Sequence, residues 1–356
     1  MSRRSTKYLK AALTALHYSG ASELLSPMTG GLGAILMLHR VVPGKFEGFS
    51  PNRILTITPE FLDQTIRQLI EAGFDILSLD EVAARLKEPA KSSRPFVAFT
   101  LDDAYRDNLE YATPVFRRYG VPYAVYAPTD YIDGHGDLWW LSLEQAIAKL
   151  DHVDCVIDGR ALSLPSATVA EKDATYHSIY WRLRKTDETV ARTITAELCR
   201  KAGVDTRHLC RDLVLDWDGL RQLAADPLVT IGAHTQRHYA LSKLGAGAAR
   251  HEMTASIARL EAELRRAVKH FSYPFGDVCS AGQREFDMAS ELGLTTAVTT
   301  RKGVIGARHA ASPTALPRVS LNGDYQLLHY TKTLLSGAPF ALYDLAKSIL
   351  PRAIAA

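Results

Sequence analysis

The chain has 356 residues, of which 47% are apolar and 23% are charged, and its formal net charge is +3. These are ordinary globular values, so they exclude a largely disordered chain and predict a sizeable hydrophobic core. The small charge and the lack of a long basic run give no reason to expect a nucleic-acid partner.

The N-terminal segment is a poor fit to a secretory signal. It is basic at Arg3, Arg4, Lys7 and Lys10, but the apolar stretch 11–16 that follows is shorter than the roughly 7–15 residues of a signal sequence. No run approaches the roughly 20 apolar residues of a membrane-spanning helix. The four cysteines include no CxxC pair, so neither a zinc knuckle nor a disulfide framework is indicated. We therefore expect a cytoplasmic protein without a membrane span, of unknown oligomeric state.

The first part of the chain predicts a helical arm followed by alternating strands and helices. Residues 1–30 are expected to form the arm and a loop that carries Pro27. Continuous apolar runs bounded by turn residues are typical of strands that are buried on both faces. Such strands are predicted at 34–38, 75–79, 95–101 and 123–127, with helices at 58–72, 80–87 and 108–119.

The alternation stops at 139–227 and then resumes. This interruption is polar and is predicted to be mostly helical, so we interpret it as an insertion that packs over one end of the core. The later strands are predicted at 229–233, near 271, at 295–300 and near 319, and the later helices at 246–268 and 284–292.

This pattern predicts one core domain. Alternating strands and helices form a parallel sheet covered by helices, either a barrel or an open sheet. The expected organisation is a helical arm at 1–30, a core at 31–322 that contains the insertion at 139–227, and a helical tail at 323–356.

Three groups of polar or turn residues follow predicted buried strands. Asp102 and Asp103 come after the strand at 95–101, His234 and His238 come after the strand at 229–233, and a Pro-Phe-Gly turn at Phe275 comes after the strand near 271. Catalytic groups gather at the carboxyl ends of strands in parallel barrels and sheets. Taken singly, each group has a plainer explanation: a helix-capping turn, a chance spacing among twelve histidines, and an ordinary turn.

Together the three groups describe one hydrolytic site. One carboxylate and two imidazoles, with an open fourth position, are the ligands of a catalytic zinc ion, which lowers the pKa of its water. The second carboxylate can accept the proton of that water, and the backbone N–H of the turn can stabilise a developing oxyanion. Such a site suits the hydrolysis of an amide or an ester.

The order and spacing of these motifs resemble the polysaccharide deacetylases (carbohydrate esterase family 4). The family's His-[Ser/Thr]-x-x-His motif is matched in full at His234, Thr235 and His238, and the resemblance covers residues 33–322. It implies an α/β fold, namely a distorted (β/α) barrel with a helical insertion here. It also implies a divalent metal ion, zinc first, with cobalt, manganese or nickel as alternatives.

The resemblance further implies a role for each site residue. Asp102 becomes the general base, and the N–H of Phe275 becomes the oxyanion donor. The metal ligands become Asp103, His234 and His238.

Four positions need separate comment. His39, in a Met-Leu-His-Arg segment similar to one found in a branch of the family, is the implied general acid, and a satisfied core or rim histidine is the alternative. Ala104 stands where the family has Gly, at a cost of about 1 kcal/mol if that position has positive φ. Ser272 stands where the family has the Arg that orients the base, and Arg318 on the last strand is the expected substitute.

The expected function is the removal of acetyl groups from an N-acetylated oligo- or polysaccharide, such as a chitooligosaccharide, by hydrolysis of a linear amide C–N bond. Tyr105, Trp139, Trp140 and Phe275 are the expected sugar platforms, although the tryptophans alternatively anchor the insertion to the core. The alternatives are another metal-dependent acyl hydrolase, such as an O-deacetylase or amidase, and a catalytically silent carbohydrate-binding relative. The intact ligands and base argue against the silent relative.

Overall fold

The structure is a computed structural model that describes residues 3–89 and 94–349. Its strands are β1 (Gly33–Leu38), β2 (Arg40–Val41), β3 (Thr56–Ile57), β4 (Asp75–Ile76), β5 (Phe96–Leu101), β6 (Tyr123–Ala127), β7 (His152–Ile157), β8 (Arg160–Pro165), β9 (Val229–Ala233), β10 (His270–Ser272), β11 (Thr296–Lys302) and β12 (Leu316–Ser320).

The α-helices alternate with these strands along most of the described chain. They are α1 (Arg3–Tyr18), α2 (Ala21–Thr29), α3 (Pro59–Glu71), α4 (Leu79–Lys87), α5 (Thr113–Tyr119), α6 (Thr129–Ile132), α7 (Trp139–Lys149), α8 (Val169–Leu183), α9 (Glu188–Lys201), α10 (Leu209–Leu213), α11 (Trp217–Ala224), α12 (Ala246–Leu264), α13 (Gln283–Glu291), α14 (Leu328–Leu335) and α15 (Ala338–Ile349).

Seven of the described strands close into a parallel barrel. Their order around the barrel is β1-β12-β11-β10-β9-β6-β5, and β5 pairs in turn with β1. The closing ladder runs in parallel from Gly33 opposite Phe96 to Leu38 opposite Leu101. The open-sheet alternative is therefore excluded, and the predicted (β/α) barrel is confirmed.

Local sequence explains why these elements begin where they do. Every residue of β5 is buried, as its unbroken apolar run requires of a parallel strand covered on both faces. Helix α3 begins after Thr58, whose hydroxyl accepts a hydrogen bond from the N–H of Phe61. Helix α4 begins with a reciprocal pair of hydrogen bonds between Ser78 and Glu81.

The two N-terminal helices pack beside the two C-terminal ones. Helix α1 contacts α14, and α2 contacts both α1 and α15. The prediction of a loop at Pro27 is wrong, because Pro27 lies inside α2. Proline removes one backbone donor from this short helix, and the packing against α15 supports it. None of the described helices is long and apolar enough to cross a membrane.

The segment 139–227 lies between β6 and β9 and contains an element that the sequence analysis missed. Besides the helices α7 to α11, it forms an antiparallel hairpin of β7 and β8. The signal was present in the sequence: Asp158 and Gly159 form the turn, both with positive φ, as a tight hairpin requires. The side chains of Val153 and Ile157 on β7 are buried, while alternate positions face outward.

Candidate metal centre and active site

The structure brings the predicted site residues to one end of the barrel. Because the barrel strands are parallel, their carboxyl ends meet there. Two carboxylates follow β5, two imidazoles follow β9, and single residues come from the ends of β1 and β10 and from β12. These residues are His39, Asp102, Asp103, His234, His238, Phe275 and Arg318.

Three of them form a compact buried cluster. The Asp103 Oδ1 atom lies 3.6 Å from His234 Nε2 and 3.3 Å from His238 Nε2. One ligand atom from each residue lies within 4.8 Å of the others, and all three residues are buried. A carboxylate oxygen and two imidazole nitrogens at this spacing are a donor set for a divalent transition metal.

The hydrogen bonding and electrostatics of this cluster fit a cation. Asp103 Oδ1 has no hydrogen-bond partner among the described residues. His234 Nδ1 lies 2.6 Å from the carbonyl oxygen of Ser272, which makes Nδ1 the donor and leaves Nε2 free to bind an ion. Burial and the nearby charge of Asp102 raise the pKa of Asp103 well above its usual value. A positive charge between these three residues would lower the pKa of Asp103 again and would bind its unpaired oxygen.

Asp102 is held by Arg318 in a bidentate ion pair. The two guanidinium nitrogens of Arg318 donate to the two carboxylate oxygens of Asp102 at 2.9 and 2.7 Å. Burial alone would raise the pKa of Asp102, but the charge and hydrogen bonds of Arg318 outweigh it and hold that pKa below its usual value. Asp102 is therefore a fixed, ionised carboxylate beside the metal cluster.

Ser272 explains how a distant arginine reaches this position. Its hydroxyl accepts a hydrogen bond of 3.1 Å from Arg318, whose Nε also donates to the carbonyl of Thr299 at 2.8 Å. The short serine side chain leaves the space that the guanidinium of Arg318 occupies. The structure thus places an arginine from β12 against Asp102, and Arg318 was the residue expected in this position.

His39 lies at the solvent-accessible edge of the same group. Its Nε2 atom is 3.9 Å from Asp102 Oδ2, and its side chain is 19% exposed, more than those of Asp103, His234 and His238. Burial lowers the pKa of His39 to about 4, although the charge of Asp102 opposes this shift. The side-chain amide of Asn108 donates to the His39 carbonyl at 2.8 Å and fixes this backbone. His39 is therefore neutral near pH 7.

The Pro-Phe-Gly turn leaves one backbone donor available. The N–H of Phe275 makes no hydrogen bond within the described chain, whereas its carbonyl accepts from the Thr300 hydroxyl at 2.6 Å. Gly276 is required, since a Cβ there would lie 2.6 Å from the backbone nitrogen of Thr300. The ring of Phe275 packs 4.8 Å from that of His238, centroid to centroid, which puts the turn beside the metal cluster.

Backbone strain is concentrated in these turns. Of the seven described non-glycine residues with positive φ, five lie here: Asp103, Ala104, Thr235, His238 and Phe275. The φ of 50° at Ala104 is the conformation for which glycine would be preferred. Each such residue costs on the order of 1–3 kcal/mol, so the surrounding barrel must hold these turns in place.

A residue from the insertion, which sequence reasoning missed, covers the turn. The guanidinium of Arg184, at the end of α8, stacks 3.7 Å from the centroid of the Phe275 ring. It also donates to Asp277 Oδ2 at 2.9 Å and to Ser280 Oγ at 2.7 Å. No local motif marks Arg184, because the contact arises only when the insertion folds over the barrel.

The sugar platforms predicted from aromatic residues are wrong for three of the four candidates. Tyr105, Trp139 and Trp140 are at most 5% exposed and offer no open ring face. Trp139 stacks on Tyr180, with ring centroids 5.2 Å apart and an interplanar angle of 21°. Across to the barrel, the ring centroid of Trp139 lies 6.4 Å from that of Phe275, and the ring centroid of Trp140 lies 5.2 Å from that of His238. The tryptophans therefore anchor the insertion to the barrel, as the alternative interpretation proposed.

Comparison with known proteins agrees with this fold and identifies its family. The polysaccharide deacetylase family model matches residues 90–297, more than half of the chain, and the chain belongs to this family. The matched span includes both aspartates, both histidines and Phe275. Membership confirms the predicted family and, with it, a hydrolase of the carbohydrate deacetylase type. No curated protein matches the chain.

Several solved structures share the fold at low sequence identity. The deacetylase PplD of Streptococcus pyogenes, solved with acetate, has 15% identity and a TM-score of 0.53, over 82% of this chain and 92% of its own. IcaB of Ammonifex degensii has 14% identity and a TM-score of 0.53, over 86% and 98%. The de-N-acetylase of Aggregatibacter actinomycetemcomitans has 13% identity and a TM-score of 0.51, over 84% and 98%.

Proposed function

We propose that the protein is a divalent-metal-dependent hydrolase that removes acetyl groups from an N-acetylated oligo- or polysaccharide. The observation that carries the proposal is the buried Asp103, His234 and His238 cluster beside an ionised Asp102, in a member of the polysaccharide deacetylase family. Two similar structures support the acetyl group as the target, since one contains acetate and another is named a de-N-acetylase.

Zinc is the proposed metal, with cobalt, manganese or nickel as alternatives. Two imidazole nitrogens and one carboxylate oxygen suit a catalytic zinc ion, which needs three protein ligands and an open position. Bound there, the ion would polarise the acyl carbonyl and lower the pKa of a water molecule.

Asp102 is the proposed general base. Its low pKa keeps it ionised, and Arg318 fixes both of its oxygens, so it can accept a proton from the attacking water without reorienting. The water oxygen bonds to the acyl carbon, and the carbonyl oxygen gains negative charge. The unpaired N–H of Phe275 would donate to that oxyanion.

His39 is the proposed general acid for the departing nitrogen. Breaking the C–N bond releases an amine that must gain a proton, and a neutral His39 cannot supply one at first. Asp102 Oδ2, 3.9 Å from the imidazole, holds the proton taken from water and is the source from which His39 is recharged. Acetate and a free amine on the sugar are the products.

The test is acetate release from N-acetylglucosamine oligomers. We would compare the metal-stripped protein, the same protein after zinc or cobalt is restored, and His234→Ala, with His251→Ala on the exposed side of α12 as the matched control. Metal-dependent release that persists in the control and vanishes in His234→Ala is expected.

The other outcomes separate the competing functions. Release only from O-acetylated substrates, with one metal ion bound per chain, would replace the N-deacetylase by an O-deacetylase. An absence of both metal and release would contradict catalysis and leave a carbohydrate-binding relative.

A further inference from the structure

The helices at the two ends of the chain expose an unusual amount of apolar surface. Seven of the seventeen large apolar side chains that the described residues expose lie on α1, α2 and α15: Tyr8, Tyr18, Leu24, Met28, Leu342, Tyr343 and Leu345. Leu24 and Met28 are 81% and 85% exposed. Scattered exposed apolar residues are normal, but a cluster of this kind marks an interaction surface.

Helix α1 has an exposed side that is mostly apolar. Leu13 is buried against the protein, while the exposed positions are Lys7, Tyr8, Ala11, Ala12, Ala15 and Tyr18. A helix on a solvated surface would carry more polar residues on that side. Helix α1 packs on α2, and α2 packs on α15, so the exposed side chains belong to neighbouring helices.

Basic residues outnumber acidic ones on the three helices of this apolar surface, where Glu23 on α2 and the exposed Asp344 on α15 are the acidic ones among the described residues. The chain has no acidic residue before Glu23 but has four basic ones, Arg3, Arg4, Lys7 and Lys10. Of these, Lys7 is exposed on α1. Glu23 itself is paired with Lys332 at 2.5 Å, which reduces its effect on the surface charge. Exposed tyrosines and leucines beside lysines are the composition that binds at the interface of an anionic bilayer.

We propose that α1, α2 and α15 form a surface that docks onto an anionic lipid bilayer. The apolar side chains enter the headgroup region, and the exposed Lys7 of α1 contacts the acidic headgroups. A second copy of the chain fits this surface less well, because a symmetric contact would place the same basic helix against itself.

The surface reaches the end of the barrel that carries the metal cluster. The Lys10 ammonium lies 5.5 Å from the ring centroid of Tyr325, which follows the carboxyl end of β12. The C-terminal end of α2 lies at the opposite end of the barrel, because its last residue, Thr29, comes shortly before the start of β1. The Thr29 hydroxyl donates there to the carbonyl of Ser336. The docking surface therefore runs along the flank of the barrel.

The experiment is co-sedimentation of the full-length protein with vesicles. Vesicles of phosphatidylcholine with phosphatidylglycerol would be compared with vesicles of phosphatidylcholine alone, at low and high salt. We expect at least about tenfold tighter binding to the anionic vesicles, weakened by salt. The double variant Leu24→Glu/Met28→Glu should lose at least about tenfold in affinity, and Lys7→Glu should lose less.

The matched control is Val156→Glu/Val169→Glu, which changes two exposed apolar residues in the insertion. Both double variants should keep the thermal midpoint of the parent, since all four side chains are exposed. The proposal is overturned by equal binding to uncharged vesicles, by full binding of Leu24→Glu/Met28→Glu, or by no binding at all. A dimer that this variant dissociates, without vesicle binding, would instead assign the surface to a second copy. None of these outcomes depends on the deacetylase activity.

Discussion

The active site has two walls that are built in different ways. The barrel wall consists of turns after parallel strands, and it contains the metal cluster, the ionised Asp102 and five residues with positive φ. The insertion wall is built from α7 and α8, and it contributes the buried Trp139, Trp140 and Arg184. The chemistry lies on the strained wall, and the side chains that cover the site come from regular helices.

The two walls differ in what they contribute to the site. Strained turns orient ligands and backbone donors, and a closed barrel supplies the rigidity that keeps them strained. The insertion adds a stacked cation over Phe275 without adding a ligand to the metal cluster. Changes to Asp103, His234 or His238 in the barrel wall should therefore affect metal binding and catalysis together, whereas changes to Asp102 or to the insertion wall should affect catalysis alone.

Asp103→Asn should have the largest effect. The variant should lose bound metal and turnover to background, since it removes the only carboxylate of the cluster. The metal-free variant should nevertheless melt higher than the metal-free parent. Burial raises the pKa of Asp103, so its charge destabilises the fold near pH 7, and asparagine carries no charge. Metal analysis tests the loss of the ion, and calorimetry tests the melting temperature. A lower melting temperature for the metal-free variant than for the metal-free parent would contradict the prediction.

Asp102→Asn should separate the base from the ligands. We expect turnover to fall by about 10²–10⁴ while one metal ion per chain is retained, because Asp102 acts on the proton and not on the ion. Arg318 would keep one hydrogen-bond acceptor but lose its counter-charge, so the variant should also be less stable, and the retained metal ion is the evidence that its site is folded. Full activity in Asp102→Asn would show that another group is the base.

The barrel could be predicted from the sequence because its signals are local. Unbroken apolar runs marked β1, β5, β6 and β9 to within about one residue. Short motifs at strand ends also predicted that Asp102, Asp103, His234 and His238 lie together at one end of the barrel. Arg318 was expected to contact Asp102 because of its position on the last strand, and the structure shows two hydrogen bonds between them.

The insertion wall could not be predicted in the same way. Arg184 meets Phe275 across 91 residues of chain, and nothing near either residue in sequence indicates the contact. Burial of Trp139 and Trp140 likewise depends on helices that pack only in the folded insertion. The hairpin of β7 and β8 was missed for another reason, because its strands alternate between buried and exposed residues and lack an apolar run.

Arg184→Gln tests whether the insertion wall affects catalysis alone. We expect kcat to fall by about 10- to 100-fold with little change in KM and none in metal content, because the stacked cation positions the Phe275 turn. Arg184→Lys should recover part of the loss. Arg182→Gln, on the exposed side of the same helix, is the matched control. If Arg184→Gln lost bound metal as well as kcat, the insertion wall would no longer differ from the barrel wall in its effect on metal binding.

Low pH should lower the free energy of unfolding of the metal-free protein. Burial lowers the pKa values of His39, His234 and His238, so below about pH 6.5 these three side chains bind more protons in the unfolded chain than in the fold. The raised pKa of Asp103 acts in the opposite direction but involves one group against three. Stability should therefore fall as the pH drops from 6.5 towards the His39 value of about 4. His39→Gln should reduce this loss by about 2 kcal/mol, measured by denaturant unfolding across that range. An unchanged pH dependence would mean that His39 is not buried as a neutral ring.

Ala104→Gly should have the smallest effect, because two terms oppose each other. Glycine at φ 50° would relieve about 1 kcal/mol of backbone strain. Ala104 is fully buried, however, and losing its methyl group would cost about 0.8 kcal/mol of apolar burial. We expect the free energy of unfolding to change by less than about 1 kcal/mol, with metal affinity unchanged. A loss of several kcal/mol would mean that the methyl group itself holds Asp103 in its strained turn, which would make local packing, rather than barrel closure, the source of the rigidity.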